Sequence, residues 1–267
     1  MLLLALAARW TAFAGQAPPP VFEAASIKRN TSGETRTRFE TPPGRVNAIN
    51  VPLGFVIRQA YRVPESRIVG GPAWLDSDRF DIVATAPAAT GDAVREMLRA
   101  LLTERYGLRM HAETREMPVY MLRLMRADGA LGSSLRRSTM DCAGRPSSVV
   151  AGQVRCGVLV SQGPASASLR GGGATIDSFV RLLADFLERP LVDETGLTGT
   201  FDLELQFSAP RSSMPGALAP GGLAAAGPDD VPTVFTAVRE QLGVKLDAQR
   251  GRAEVWVVDA ASPPSVD

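Results

Sequence analysis

The 267-residue sequence predicts an α+β fold of two duplicated halves, each made of two helix–strand–strand units with antiparallel or mixed sheets. Three observations lead there. Apolar residues recur at helical spacing in four segments, and strand-like alternation follows each of them. The four segments form two pairs that match position by position. The stretches between them carry the glycines and prolines that turns require.

The first unit has a helix at 52–61, "PLGFVIRQAY", then "RIV", a corner "GGPAWLDSD" and the strand "RFDIVATA". The second has a helix at 92–106, "DAVREMLRALLTERY", followed by "GLRMHAET" and "PVYMLRLM". Val94, Met97, Leu98, Leu101 and Leu102 share one face of that helix, the stripe a core-facing helix needs. The third unit has a helix at 175–187, "TIDSFVRLLADFL", with Phe179, Leu182, Leu183 and Phe186 on one face, then "RPLVD" and "TFDLELQF". The fourth runs through a helix at 233–242, "TVFTAVREQL", into "GVKLDAQ" and "AEVWVVD". Alternation of Phe201, Leu203, Leu205 and Phe207 marks a strand with one buried face.

"LLTERYGLRMHAETREMPVYMLRL" matches "VREQLGVKLDAQRGRAEVWVVD", and "DSDRFDIVA" matches "LTGTFDLEL", with Phe80-Asp81 on Phe201-Asp202. Gly107 and Gly243 stand where a helix ends in a left-handed residue, which glycine adopts without steric cost. Polar runs at Glu113–Glu116 and Gln249–Arg252 read as short turns between strands. The corner at Gly70–Asp78 matches "DETGLTG" at 193–199, so both halves reverse the chain there, with Trp74 and Leu197 closing a sheet edge. The domain plan is a signal peptide at 1–17, a first half at 21–126, and a connecting loop with a disulfide at 127–156. The second half spans 157–259 and is interrupted by a flexible Pro/Gly-rich loop at 208–230. Two further strands, "GVLVSQ" and "ASLR", are expected within 127–173, ahead of the third helix.

The composition is 45% hydrophobic and 21% charged, with 29 Lys and Arg against 28 Asp and Glu. That balance lacks the basic footprint of a nucleic-acid binder. The opening "MLLLALAARWTAFAGQAPPP" reads as an export signal with an A-x-A cleavage pattern, too short to span a membrane. Export makes the protein periplasmic or extracellular. Cys142 and Cys156 fit an oxidising compartment, where they close a loop of about 15 residues, worth roughly 3 kcal/mol in the chain-entropy model.

The blocks "FEAASIKRN", "GGPAWLDSDRFDI", "LRALLTERYGLRMHAETREMPVY", "RPLVDETGLTGTFDLEL" and "VREQLGVKL…EVWVVD" resemble an uncharacterised exported family of the acidobacterial type, a domain of unknown function. The resemblance covers roughly Val21 to Asp259. It implies export, and a kinship with members fused behind membrane metallopeptidases of the BlaR sensor type. It brings no activity and no catalytic residues. Each half is also similar in plan to the short N-terminal domains that precede secretins and TonB-dependent receptors, which implies docking of peptides or protein segments.

The chemical inventory is thin. His111 is the one histidine, and no G-x-S-x-G elbow accompanies it, so a hydrolase using His111 as general base is the runner-up. Asp76, Asp78 and Asp81 lack the spacing of a calcium loop, and "GGGA" at 171–174 lacks the P-loop ending. No metal site, cofactor or catalytic set is expected; Thr175 is expected to cap the helix after "GGGA". The leading expectation is an exported, non-catalytic interaction or sensing module. Trp74, Tyr120, Trp256 and His111 are its candidate binding residues, and a peptide, an envelope protein or a membrane metallopeptidase-type sensor its partner. A third reading makes it the periplasmic sensor partner of such a peptidase.

Overall fold

A computed structural model of the chain describes residues 20–34, 36–86, 89, 91–142, 148–150, 153–163, 165–208 and 231–264. The expected signal peptide lies outside the described residues. So do the loop 208–230 beyond Ser208 and residues 143–147 and 151–152 of the cysteine loop. No helix among the described residues is long and apolar enough to cross a membrane.

The chain begins with β1 (Ala24–Arg29), β2 (Arg38–Glu40), β3 (Arg45–Pro52), α1 (Leu53–Tyr61), β4 (Ile68–Gly70), α2 (Trp74–Ser77), β5 (Arg79–Thr85), α3 (Asp92–Tyr106) and β6 (Arg109–Leu124). It continues with β7 (Leu135–Arg137), β8 (Ser148–Val150), β9 (Gln153–Arg155), β10 (Gly157–Gln162), β11 (Ser166–Thr175), α4 (Ile176–Leu183), β12 (Leu191–Asp193), β13 (Thr200–Ser208), α5 (Val234–Ala237) and β14 (Val244–Ala260). α4 tightens into a 3-10 turn at Ala184–Phe186, and α5 widens into a π turn at Val238–Leu242. The fold is mixed α+β, with three four-stranded sheets and a two-stranded arm of β8 and β9.

Two of the sheets are antiparallel, in the orders β1-β5-β3-β2 and β10-β11-β13-β7. In each, the strand that runs into a helix (β3 into α1, β11 into α4) lies beside the strand that follows the corner (β5, β13). Both pairs carry a bulge, at Ala48/Val51 and at Gly171/Ala174. The bulge residues Asn50 and Gly173 are left-handed, each with φ of 56°. Their amides donate to Asp81 Oδ1 at 2.8 Å and to Asp202 Oδ1 at 3.1 Å. A bulge leaves an amide without a ladder partner, and a carboxylate satisfies it. Asn50 is 3% exposed, and its amide group also donates to the carbonyls of Glu34 and Arg36.

The third sheet is mixed, in the order β12-β6-β14-β4. β6 and β14 form a long antiparallel ribbon from Arg109↔Ala260 to Leu124↔Val244. β4 runs parallel to β14, with Ile68 opposite Trp256, while β12 runs parallel to β6, with Leu191 opposite Tyr120. Each short strand thus finds its partner in the other part of the chain. One end of the ribbon packs into a core of Val51, Phe80, Ile82, Leu98, Leu102 and Tyr106 through Val258. The opposite end packs into a core of Leu169, Phe179, Leu183, Phe201 and Phe207 through Leu122 and Val244. The buried phenylalanines contribute about 2 kcal/mol each relative to exposure.

The expected turns at Glu113–Glu116 and Gln249–Arg252 are continuous strand instead. This middle of the ribbon lies between the two cores, so charged side chains there stay in water, and Arg250 pairs with Glu116 across the strands at 3.2 Å. The Gly70–Asp78 corner also differs from expectation. β4 and β5 belong to different sheets, so the corner hands the chain from one sheet to another. Trp74 covers the first core, stacked on Tyr106 at 6.5 Å and edge-on to Phe80 at 6.3 Å. Thr175 caps α4 by accepting from the Ser178 amide at 3.2 Å, as expected. Cys142 and Cys156 form the disulfide, with Cα atoms 5.2 Å apart.

Candidate functional site

The four residues singled out from the sequence are not brought together. Trp74 is partly buried and packs against the first core. Tyr120 is covered by Phe235, ring centroids 5.2 Å apart, and by the Arg189 guanidinium at 5.4 Å. His111 is half-exposed on the ribbon, with Nδ1 2.9 Å from Asp259 Oδ2 and Nε2 3.5 Å from Glu113 Oε2. No hydroxyl hydrogen-bonds to its ring among the described residues, so a Ser–His–Asp arrangement is not assembled there. No group of three metal-ligating side chains gathers among the described residues.

Trp256 differs, because it borders a cavity of about 310 Å³ that opens between the two parts of the molecule. Its ring lies 5.0 Å from Tyr61, whose other neighbour is the Arg99 guanidinium at 5.0 Å. Tyr61 arrives at the C-terminal end of α1, Trp256 from β14, and α4 supplies Val180 and Ala184 to the opposite wall. Arg67 crosses the cavity edge to donate to the Leu191 carbonyl at 2.6 Å, tying the turn before β4 to β12. Burial lowers the Arg67 pKa, with Glu254 and Asp177 opposing the effect.

A smaller cavity of about 180 Å³ adjoins it between α1 and α4, sharing Arg62, Val63, Pro64 and Arg181. Arg58, Arg95 and Asp185 also line it. Arg62 ends α1 with φ of 54°, a left-handed position where glycine is commoner. It forms no ion pair among the described residues, and its pKa is lowered first by burial, then by Arg181 and Arg95 beside it. Asp185 likewise has no hydrogen bond or ion pair among the described residues. Burial pushes its carboxyl up to about 6, against the pull of Arg58.

A larger hollow of about 520 Å³ lies over the β11–β13–β7 surface, where Arg170 and Arg136 pair with Glu204 and Asp202. Its walls are an ordinary polar sheet face with opposite charges matched across strands. The cleft between the cores differs by combining paired aromatics with arginines whose charge is incompletely met.

Fold and cleft together define a mixed α+β protein with a basic, aromatic-edged cleft between two hydrophobic cores. A family model of proteins of unknown function, DUF3738, matches residues 55–261, and the chain belongs to that family. No curated protein and no solved structure matches the chain.

The cleft arginines escaped the sequence reading. Arg58 and Arg62 sit one helical turn apart, an ordinary solvent-face spacing, and Arg181 lies on a helix far along the chain. The mixed sheet β12-β6-β14-β4 joins the two parts, and residues of α1 and α4 then line one cavity.

Proposed function

We propose that the protein is an exported, non-catalytic docking module that receives a partner in the cleft between its two cores. The observation that carries this reading is the 310 Å³ cavity edged by the Tyr61–Trp256 pair and arginines. Aromatic and arginine side chains are the types that dominate binding energy at interfaces. The Cys142–Cys156 disulfide supports export, since such bonds persist in oxidising compartments. A periplasmic or cell-surface partner, including a membrane metallopeptidase of the sensor type, belongs to the same reading. So does the resemblance to exported acidobacterial proteins and to the short domains before secretins and TonB-dependent receptors.

We also infer that the chain arose by duplication of one unit. Matching strand orders, bulges, left-handed bulge residues and carboxylate caps support this. The pairing of Tyr120 with Leu191 and of Trp256 with Ile68 supports it too.

The docking reading is tested by placing a photo-crosslinking residue at Glu254, beside the cavity, and a control at Val83, on the far face of the first sheet. In envelope extract, the expected outcome is a discrete adduct at 254, absent at 83 and lost when Trp256→Ala is added to a chain of unchanged fold. Equal labelling at both positions, or labelling indifferent to Trp256→Ala, removes the reading.

A further inference from the structure

We propose that the narrow end of the cleft, between α1 and α4, receives the carboxylate side chains of an acidic peptide segment. The inference rests on the docking reading and names the chemistry of the partner. It starts from how the arginines are held. The Arg58, Arg95 and Arg181 side chains are 16%, 26% and 33% exposed, whereas their partners Glu65, Asp92 and Asp177 are 78%, 82% and 82% exposed. All three arginines line the cavity and are the less exposed member of each pair. Glu65 and Asp92 are not among its lining residues, and Asp177 lines the adjoining cavity. An ion pair with one partner so exposed is worth little net free energy. An incoming carboxylate replaces it with the same planar geometry at small cost.

Arg62 adds a cation with no carboxylate in ion-pair contact among the described residues, though Asp92 and Asp177 attract it from nearby. Arg181 and Arg95 crowd it while Asp92 and Asp177 partly offset them. The four arginines lining this cavity meet one lining carboxylate, Asp185, so an anionic ligand adds to the balance. The adjoining Tyr61–Trp256 pair gives the flanking apolar residues of a peptide a surface to cover, so charge and area lie end to end.

Asp185 opposes the ligand. It faces Arg58 and Glu65 and shares the cavity with Arg62, Arg95 and Arg181. When ionised it competes for the same cations; when protonated it does not. Acidic peptides therefore bind more tightly as the pH falls from neutrality toward 5, and Asp185→Asn abolishes that dependence.

The experiment is calorimetric titration of the intact chain with two peptides of equal length. One alternates Glu and Asp with small apolar residues; its twin carries Gln and Asn in their place. Inorganic phosphate is a third titrant. The expected result is a preference of about tenfold or more for the acidic peptide, lost in Arg62→Ala and in Arg181→Ala. A thermal melt establishes that each variant folds; should Arg62→Ala not fold, Arg62→Gln replaces it. Equal binding of the twins, or binding unmoved by either arginine variant, overturns the proposal. Arginine-dependent binding of phosphate without the acidic peptide also overturns it, in favour of a different anion. Cross-linking at 254 that survives such a failure leaves docking in place and removes only the acidic partner.

Discussion

Asp185 carries a charge that the fold does not accommodate. Its folded pKa of about 6 lies above the ordinary value of 3.8, and burial is the largest cause. The folded chain therefore holds the proton more tightly than the unfolded chain. The resulting stability is fully present below about pH 4 and declines as the pH rises through 6. The neutral, nearly isosteric Asp185→Asn is expected to melt higher than the natural chain at neutral pH, by up to about 3 kcal/mol. Thermal melts between pH 4 and 7.5 check this, because the advantage shrinks to nothing at the acid end. A constant advantage rules out burial of the charge as its cause. At this scale the sequence was readable wherever a residue announces its own geometry. Thr175 marked its helix start; Phe80-Asp81 and Phe201-Asp202 stood out as a repeated pair, but the bulges their carboxylates cap were not foreseen. Asp185 gave no such sign, since a lone acid at a helix end looks solvated until another helix is laid against it.

Gly107 and Gly243 looked equivalent as helix terminators, and both are left-handed, at φ of 56° and 70°. Their surroundings differ. A Cβ on Gly107 meets only the Ser262 hydroxyl, at 3.2 Å, whereas one on Gly243 meets the Gly132 amide nitrogen at 2.5 Å and the Leu131 carbonyl carbon at 3.0 Å. A side-chain oxygen can rotate away; packed backbone cannot. Gly107→Ala should cost about 1 kcal/mol for the left-handed conformation alone. Gly243→Ala should cost about 1–3 kcal/mol more through overpacking. Urea unfolding of both variants measures the difference, and equal losses remove the steric account. Elements with strong periodicity were legible: all four expected helices lie where the apolar stripes put them, while the one-turn α2 lies in the segment expected to be a corner. The ribbon was misread because polar runs signal turns only when strands have a core beneath them. Between Glu113 and Met117 there is none on the outer face, so strand and charge coexist. Pro118 fits the same picture. Tyr120 donates outward to the Pro190 carbonyl, so the nitrogen of Pro118, two residues earlier, also faces the open edge, where no ladder bond is needed.

For the whole molecule, the decisive feature is the mixed sheet shared by both parts. β4 has its ladder partner only in β14, β12 only in β6, and the ribbon joins the two cores. Separation of the chain at residue 126 leaves β4 and β6 without partners. The chain is expected to unfold in a single transition, with calorimetric and van't Hoff enthalpies in agreement. Residues 20–126 alone should give no native-like near-ultraviolet dichroism. Two resolved transitions, or a folded 20–126 fragment, count against this linkage. Such pairing was beyond reach from the sequence, because local periodicity reports which face of a strand is buried and is silent about its neighbour.

The reciprocal seating of the short strands also bears on ancestry. Under the duplication reading, a progenitor of half the length had no place of its own for the Ile68-type strand, and could seat it only on a second molecule. On that reading the founder would have been an intertwined homodimer, and tandem fusion would have made its two subunits permanent neighbours. Fusion would also have freed the once-identical walls of the crevice to diverge, with Arg62 at the position where the second part carries Asp185.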